Sequence, residues 1–129
     1  MSEEQERGGT VGVLTVDDQP VFLSAAREVI DATPGFTSVG EAHCGEEALA
    51  LVDERAPELV LVDVRMDGMD GIETTRRIKA AHPELVVVLI SLDAIPSGGV
   101  DSGAAALVRK QDFGSRLLQG LWVAHGAGA

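Results

Sequence analysis

Three aspartates of this sequence come at the ends of apolar runs. Asp17 and Asp18 follow Val11–Val16 directly, and Asp63 follows Leu59–Val62. Short apolar runs that end at turns rich in Gly and Asp predict buried strands, and strands that are apolar on both faces are typical of parallel sheets covered by helices. In such sheets, ligands bind beyond the carboxyl ends of the strands. We therefore expect the three carboxylates to lie together at one edge of a sheet.

A cluster of three carboxylates needs a partner of opposite charge. Ionised carboxylates that share a site repel one another strongly, and a hard divalent cation with oxygen ligands is the simplest way to hold them together at neutral pH. We expect Mg²⁺ at Asp17, Asp18 and Asp63. The alternative is that each Asp only stabilises a turn, as Asp often does after a strand.

Two further apolar runs end near residues that can donate hydrogen bonds, which argues against that alternative. Leu85–Ile90 is followed by Ser91, and Ala104–Val108 is followed two residues later by Lys110. A hydroxyl and an ammonium group are the donors that phosphoryl oxygens need. The strand ends together predict a site that binds a phosphoryl group beside a cation.

The same residues, in this order, resemble the receiver domain of response regulators, and the resemblance extends over nearly the whole chain. It implies that Asp63 accepts a phosphoryl group from a sensor histidine kinase or a phosphotransfer protein. It also implies that Ser91 and Lys110 bind the phosphoryl oxygens. The implied Mg²⁺ ligands are Asp17, Asp18, Asp63 and the backbone carbonyl of Arg65. The residues that carry the resemblance are Val16-Asp17-Asp18, Asp63, Gly71, Ser91 and Lys110.

The resemblance implies a fold, which the apolar periodicity supports. The expected fold is α/β and flavodoxin-like: a doubly wound, five-stranded parallel sheet in the order 2-1-3-4-5, with helices on both faces. The weakly apolar run Phe36–Ala42 suits a strand at the sheet edge. Apolar residues at helical spacing predict helices over Pro20–Thr33, from Gly45 to before Pro57, over Ile72–Ala81 and over Gln111–Val123.

The length and composition are those of one domain with a tail at each end. We expect residues 1–9 to form a flexible acidic tail, residues 10–125 the receiver domain, and residues 126–129 a second flexible tail. The net charge of −11 argues against direct binding of nucleic acid, which needs a basic surface. No segment has the character of a signal peptide or a membrane span, so we expect a cytoplasmic protein. The resemblance leaves a homodimer open.

The fourth crossover departs from the receiver pattern. The segment between Ser91 and Lys110 contains Pro96 and Gly98-Gly99, which disfavour a regular helix. We therefore expect the fourth helix to be short, displaced or mobile.

Two residues near the site also depart from the pattern. Leu107 stands where receivers usually carry a Tyr or Phe that changes rotamer on phosphorylation, and Leu92 stands where a small residue is usual. Since Leu107 has no ring to rotate, we expect residues 93–103 to couple phosphorylation to the output.

Arg65 and Asp93 are candidates for tuning the site. A guanidinium two residues after Asp63 should reach the same edge of the sheet, where carboxylates of Asp17, Asp67 or Asp93 would pair with it. Such an ion pair would compete with Mg²⁺.

The leading functional hypothesis is a signalling phosphoacceptor rather than an enzyme, with at most self-catalysed phosphorylation and autodephosphorylation. The alternative is an interaction module that acts without phosphorylation, which Leu107, Leu92 and the unusual crossover favour. A Mg²⁺-dependent phosphohydrolase is disfavoured because Arg65 stands where its second Asp is usual. The run Leu117-Leu118-Gln119-Gly120-Leu121 resembles receivers that precede a LuxR-type DNA-binding domain, and so suggests transcription regulation.

Overall fold

A computed structural model describes residues 10–92 and 102–126, which form a five-stranded parallel sheet with helices on both faces. The strand order is β2-β1-β3-β4-β5, and every neighbouring pair is parallel. This confirms the predicted flavodoxin-like fold and the predicted order 2-1-3-4-5. The strands are β1 (Val11–Val16), β2 (Phe36–Ala42), β3 (Leu59–Asp63), β4 (Val86–Ser91) and β5 (Ala106–Arg109).

Four helices connect or follow these strands: α1 (Pro20–Ala32), α2 (Gly45–Arg55), α3 (Gly71–Ala81) and α4 (Ser115–His125). The predicted helix of the fourth crossover falls largely on residues 93–101, which lie outside the described residues together with Asp93. Residues 1–9 and 127–129 also lie outside them. None of the described helices is long and apolar enough to span a membrane.

The last helix differs from the predicted Gln111–Val123. A 3₁₀ turn over Lys110–Asp112 comes first, and Phe113 N–H donates a hydrogen bond to the Lys110 carbonyl at 3.1 Å. Gly114 then adopts an extended backbone (φ −169°, ψ −178°) and caps α4. The apolar residues from Phe113 onward are spaced as in one helix, but Phe113 follows a 3₁₀ turn and lies before α4. Periodicity alone does not separate the turn from the helix.

The core has two halves, one on each face of the sheet. Alternate residues of β3 point to opposite faces, so that Val60 and Val62 pack with α2 and α3, while Leu59 and Leu61 pack with α1 and α4. All residues of β3 and β4 are buried, whereas β2 is only partly buried at the edge. The sheet centre is thus fully covered by the helices, and the site residues lie at its end.

Strand register brings the functional ends together. Val16 pairs with Val62, and Asp63 pairs with Ile90. Ser91 in turn pairs with Arg109, the residue before Lys110. The carboxyl ends of β1, β3, β4 and β5 therefore meet along one edge, as parallel strands in matched register require.

The turn between β3 and α3 is fixed close beneath Asp63. Gly71 N–H donates to the Val64 carbonyl at 3.0 Å, and a Cβ atom on Gly71 would overlap the carbonyl oxygen of Asp63. The Asp70 side chain caps α3 by accepting a hydrogen bond from Glu73 N–H at 2.9 Å. These contacts leave Asp63 little freedom to shift along the strand axis.

Candidate functional site

Asp17 is the most deeply placed acidic residue of the site. It is fully buried, and its backbone N–H donates to the Ala42 carbonyl on the edge strand at 3.0 Å. Its Oδ1 accepts a hydrogen bond from Gln19 N–H at 2.8 Å. The backbone of Asp17 is therefore tied to β2 and one carboxylate oxygen is held by the Gln19 N–H, while the second oxygen, Oδ2, is left for other partners.

Asp18 lies at the rim and is partly exposed. Its Oδ2 accepts a hydrogen bond from Asp67 N–H at 3.3 Å, so it tethers the loop after β3 to the end of β1. Carboxylate oxygens of Asp17, Asp18 and Asp63 all lie within 4.8 Å of one another. The three predicted carboxylates are thus brought together as the sequence suggested.

Asp63 is the carboxylate whose charge is most disturbed. Only 6% of its surface is exposed. Its pKa is raised from 3.8 to about 6, chiefly by burial and then by the negative charges of Asp17 and Asp18, while Lys110 and a backbone hydrogen bond from Arg65 oppose the rise. At neutral pH the group is still mainly ionised, but the environment disfavours that charge.

Lys110 supplies the positive charge of the cluster. Its Nζ lies 2.6 Å from Asp17 Oδ2 and 3.7 Å from Asp63 Oδ1, and its side chain is 7% exposed. The family resemblance implies that Lys110 binds phosphoryl oxygens. In the structure, the ammonium group forms its shortest ion pair with a carboxylate that the resemblance assigns to Mg²⁺.

A small cavity opens beside Asp63. It has a volume of about 160 Å³ and is lined by Gln19, Asp63, Arg65, Ser91, Leu92 and Lys110. Ser91 is buried at the end of β4, while the next residue, Leu92, is 61% exposed. The phosphoacceptor candidate, both candidate phosphoryl ligands and the bulky Leu92 therefore surround one space.

Arg65 lines the cavity beside Asp63, at the predicted edge of the sheet, but it does not form the predicted ion pair there. Its side chain is exposed, and among residues 10–92 and 102–126 its guanidinium forms no ion pair with a carboxylate. The expected pairing with Asp17 or Asp67 is therefore not found. Lys110 already neutralises Asp17 from inside the site, so Arg65 gains little by leaving solvent.

Leu107 stands in the middle of β5, paired in register with Leu89 on β4. It is partly buried and packs against the half of the core that contains α2 and α3. A side chain packed in this way has no polar tip to draw it outward. The position is consistent with the expectation that Leu107 does not act as an aromatic rotamer switch.

One neighbour of the site escaped the sequence analysis. Lys110 Nζ lies over the ring of Phe22, 4.7 Å from its centroid, and Phe22 in turn contacts Phe113 with ring centroids 6.1 Å apart and planes tilted by 57°. Phe22 is one of the apolar residues at helical spacing that predict α1. Its position on the first turn of α1, which begins two residues after Asp18, is the signal that places it near the site.

The acidic cluster fits a hard divalent cation. The ligands available are carboxylate oxygens, which Mg²⁺ prefers, and Asp18 is open to solvent at the rim, so an ion can enter. A cation among these groups would also relieve the repulsion that raises the pKa of Asp63. The residues that would hold it are Asp17, Asp18 and Asp63.

Comparisons with known proteins identify the family of the chain. The family described as response regulator receiver domain matches residues 13–119. The response regulator GacA of Pseudomonas aeruginosa is 34% identical over 103 residues, which cover 78% of this chain and 48% of that protein. This chain thus spans about half the length of that relative.

Solved structures are similar in fold over most of the chain. The signal receiver domain of the putative response regulator NarL from Mycobacterium tuberculosis has a TM-score of 0.82 and 27% identity, covering 90% of this chain and 96% of that one. A LuxR-family two-component response regulator from Aurantimonas sp. SI85-9A1 has a TM-score of 0.81 and 27% identity, covering 89% and 84%. The chain belongs to the response regulator receiver domain family, and its relatives include LuxR-family regulators.

Proposed function

We propose that residues 10–125 form a receiver domain in which Asp63 accepts a phosphoryl group in the presence of Mg²⁺. The observation that carries this proposal is the placement of the buried Asp63 carboxylate at the carboxyl end of the central strand. It lies within 4.8 Å of two further carboxylates and 3.7 Å from the Lys110 ammonium. A nucleophile, a cation site and a fixed donor then share one edge of the sheet.

The transfer step follows from these positions. A carboxylate oxygen of Asp63 attacks phosphorus in line, the bond from phosphorus to the donor's imidazole nitrogen or acyl oxygen breaks, and an acyl phosphate forms on Asp63. Lys110 and Ser91 donate hydrogen bonds to the phosphoryl oxygens. Asp17, Asp18, Asp63 and the Arg65 carbonyl would hold Mg²⁺, which would supply positive charge to offset the charge that develops on the phosphoryl group.

The ion pair between Lys110 and Asp17 offsets part of the negative charge of the cluster. The ammonium lies nearest to Asp17 and lowers the electrostatic cost of bringing the carboxylates together. A phosphoryl group on Asp63 brings new acceptor oxygens within reach, and Lys110 is already close enough to bind them with a small movement of its side chain.

The partner that this chemistry requires is a phosphodonor, and a sensor histidine kinase or phosphotransfer protein fits that description. The domain is a switch rather than an enzyme acting on a separate substrate, because the modified group is its own Asp63. The similarity to LuxR-family response regulators supports the further proposal that the output is transcription regulation.

The test is intact-protein mass spectrometry after incubation with acetyl phosphate and Mg²⁺. We expect the mass of one phosphoryl group to be added to the wild type and to Asp67→Asn, whose side chain is exposed. No addition should occur with Asp63→Asn or when a chelator is present. Addition to Asp63→Asn at the wild-type rate would contradict the assignment of the acceptor.

The second candidate is an interaction module that works without phosphorylation. The observation that favours it is the packing of Leu107 against the core, which leaves no aromatic rotamer to report the state of the site. Under this alternative, a binding partner would bind wild type and Asp63→Asn equally well, with or without acetyl phosphate. Under the leading proposal, its affinity would depend on the donor and on Asp63.

A further inference from the structure

The Lys110 ammonium is confined from three directions. Asp17 at the end of β1 and Asp63 at the end of β3 face it with carboxylate oxygens at 2.6 and 3.7 Å. The ring of Phe22, on the first turn of α1, lies beneath it at 4.7 Å. The two carboxylates pull the ammonium into the acidic cluster, and the ring limits how it can turn away.

Phe22 is itself held in place. It is partly buried against the half of the core that contains α1 and α4, as is Phe113. The tilted contact between the two rings, with centroids 6.1 Å apart, is the geometry that aromatic quadrupoles favour. Phe113 also closes the 3₁₀ turn by donating its N–H to the Lys110 carbonyl. The ring beneath the ammonium is thus supported by a residue whose backbone also closes the turn that begins at Lys110.

The face of a fixed aromatic ring can restrict the position of a lysine ammonium group. The ring quadrupole attracts the ammonium, more strongly where water is excluded, and the Lys110 side chain is 7% exposed. A free lysine side chain populates many rotamers, and ordering it costs entropy at the moment of reaction. A ring that restricts those rotamers beforehand removes part of that cost, as preorganised sites do.

We propose that Phe22 is a positioning residue for phosphoryl transfer, which holds Lys110 Nζ over its ring and within reach of the phosphoryl group on Asp63. This inference rests on the proposed function for its kinetic consequence, but the placement of Lys110 over the ring can be tested without any phosphodonor. The Phe22 ring contacts Lys110 directly, and the Phe113 ring packs against Phe22.

The first measurement is the NMR shift of the Lys110 side-chain protons in the protein without phosphodonor. Protons over a ring face are shifted upfield by the ring current, so the Lys110 methylene protons nearest Nζ should be shifted upfield in the wild type and in Phe22→Tyr. They should move to ordinary positions in Phe22→Leu. The control is Phe36→Leu, which removes a partly buried ring from the opposite end of the sheet and should leave the shift unchanged.

The second measurement is the rate constant for phosphorylation by acetyl phosphate and Mg²⁺. Loss of the ring in Phe22→Leu should lower it about 3- to 30-fold, the range that a partly or fully desolvated cation–π contact spans. Phe22→Tyr and Phe36→Leu should stay within about twofold of the wild type. Thermal unfolding, followed by the fluorescence of the single Trp122, selects a temperature at which every variant is folded.

Phe22→Met serves in place of Phe22→Leu if the latter does not fold, because Met fills the space flexibly but has no ring. The proposal is overturned if Phe22→Leu and Phe36→Leu have equal rate constants, or if Phe22→Tyr is as slow as Phe22→Leu. It is also overturned if the Lys110 protons show no ring shift in the wild type. If the wild type is not phosphorylated at all, the proposed function fails, while the NMR comparison still decides whether Phe22 holds Lys110.

Discussion

Opposing effects act on Asp63. Burial and the neighbouring carboxylates disfavour its charge, while Lys110 and the Arg65 backbone N–H favour it, and its pKa settles at about 6. The carboxylate is therefore mainly ionised at neutral pH, as a nucleophile must be. Its negative charge, held in a buried and acidic environment, lowers the stability of the folded protein. Activity and stability are in conflict at this residue.

We predict that Asp63→Asn stabilises the fold at pH 7 in the presence of a chelator. The pKa of Asp63 is raised from 3.8 to about 6 in the folded protein. Protonation of Asp63 therefore stabilises the folded state relative to the unfolded state fully below pH 3.8, and this stabilisation is lost as the pH rises through 6. After allowance for solvent screening, the gain should be about 1–2 kcal/mol. Urea unfolding measures it, and the gain should disappear below pH 4. Asp67→Asn, which removes an exposed carboxylate, should change stability little at either pH.

Removal of Lys110 should have the opposite effect. Lys110→Met leaves the fully buried Asp17 without its ion pair, and an unpaired buried charge costs about 3 kcal/mol or more. Urea unfolding at pH 7 should show this loss, while Arg116→Met, an exposed change on α4, should be nearly neutral. A Lys110→Met protein as stable as the wild type would show that the ion pair with Asp17 does not form in solution.

At the scale of elements, the site depends on how closely α3 approaches the end of β3. Gly71 permits this approach, because a side chain there would meet the Asp63 carbonyl. The Asp70 cap fixes where the helix begins. A small displacement of α3 would therefore move the loop that contains Arg65 and Asp67, and with it the rim of the cation site.

Two glycine substitutions test this packing. Gly71→Ala should lower the free energy of unfolding by about 2 kcal/mol, since the added methyl group forces the helix away from β3. Gly120→Ala, in the interior of α4 with no atom near the added methyl, should raise it by about 0.5–1 kcal/mol through helix propensity. Thermal or urea unfolding compares the two. If Gly71→Ala and Gly120→Ala changed the free energy of unfolding equally, the close approach of α3 to the end of β3 would be contradicted.

Much of this architecture is written in local patterns. Apolar runs predict the strands that end near Asp17, Asp63 and Ser91. The run Phe36–Ala42 predicts β2 with the bounds that the structure has, and its mixed composition suits an edge strand. The 3₁₀ turn before α4 was missed because Phe113 continues the apolar spacing of the helix. The contacts of Lys110 with Asp17 and Phe22 join residues far apart in sequence, and no local pattern specifies which partner an ammonium chooses.

At the scale of the whole molecule, electrostatics are dominated by a net charge of −11. Much of that charge is spread over the surface, where salt screens it. The cluster of Asp17, Asp18 and Asp63 differs because it is partly or fully buried and its carboxylates lie close together. A divalent cation bound there should therefore stabilise the fold far more than equivalent ionic strength does.

We predict that Mg²⁺ raises the melting temperature. Ligand binding only to the folded state stabilises it by about 1.4 kcal/mol at ten times the dissociation constant. Calorimetry in millimolar MgCl₂ should show the rise, and NaCl of the same ionic strength should not reproduce it. Asp18→Ala should remove the specific response, whereas Asp53→Ala, which changes an exposed carboxylate on α2, should keep it. A response that survives in Asp18→Ala would place the cation elsewhere.

The central claim is that Asp63 becomes an acyl phosphate, and chemical trapping tests it most directly. Borohydride reduces an aspartyl phosphate to homoserine, so protein treated with acetyl phosphate and Mg²⁺, then reduced and digested, can be read by tandem mass spectrometry. The account predicts homoserine at position 63, and none when the donor or Mg²⁺ is left out. Homoserine at Asp17, Asp18 or Asp67 with position 63 unmodified would contradict it.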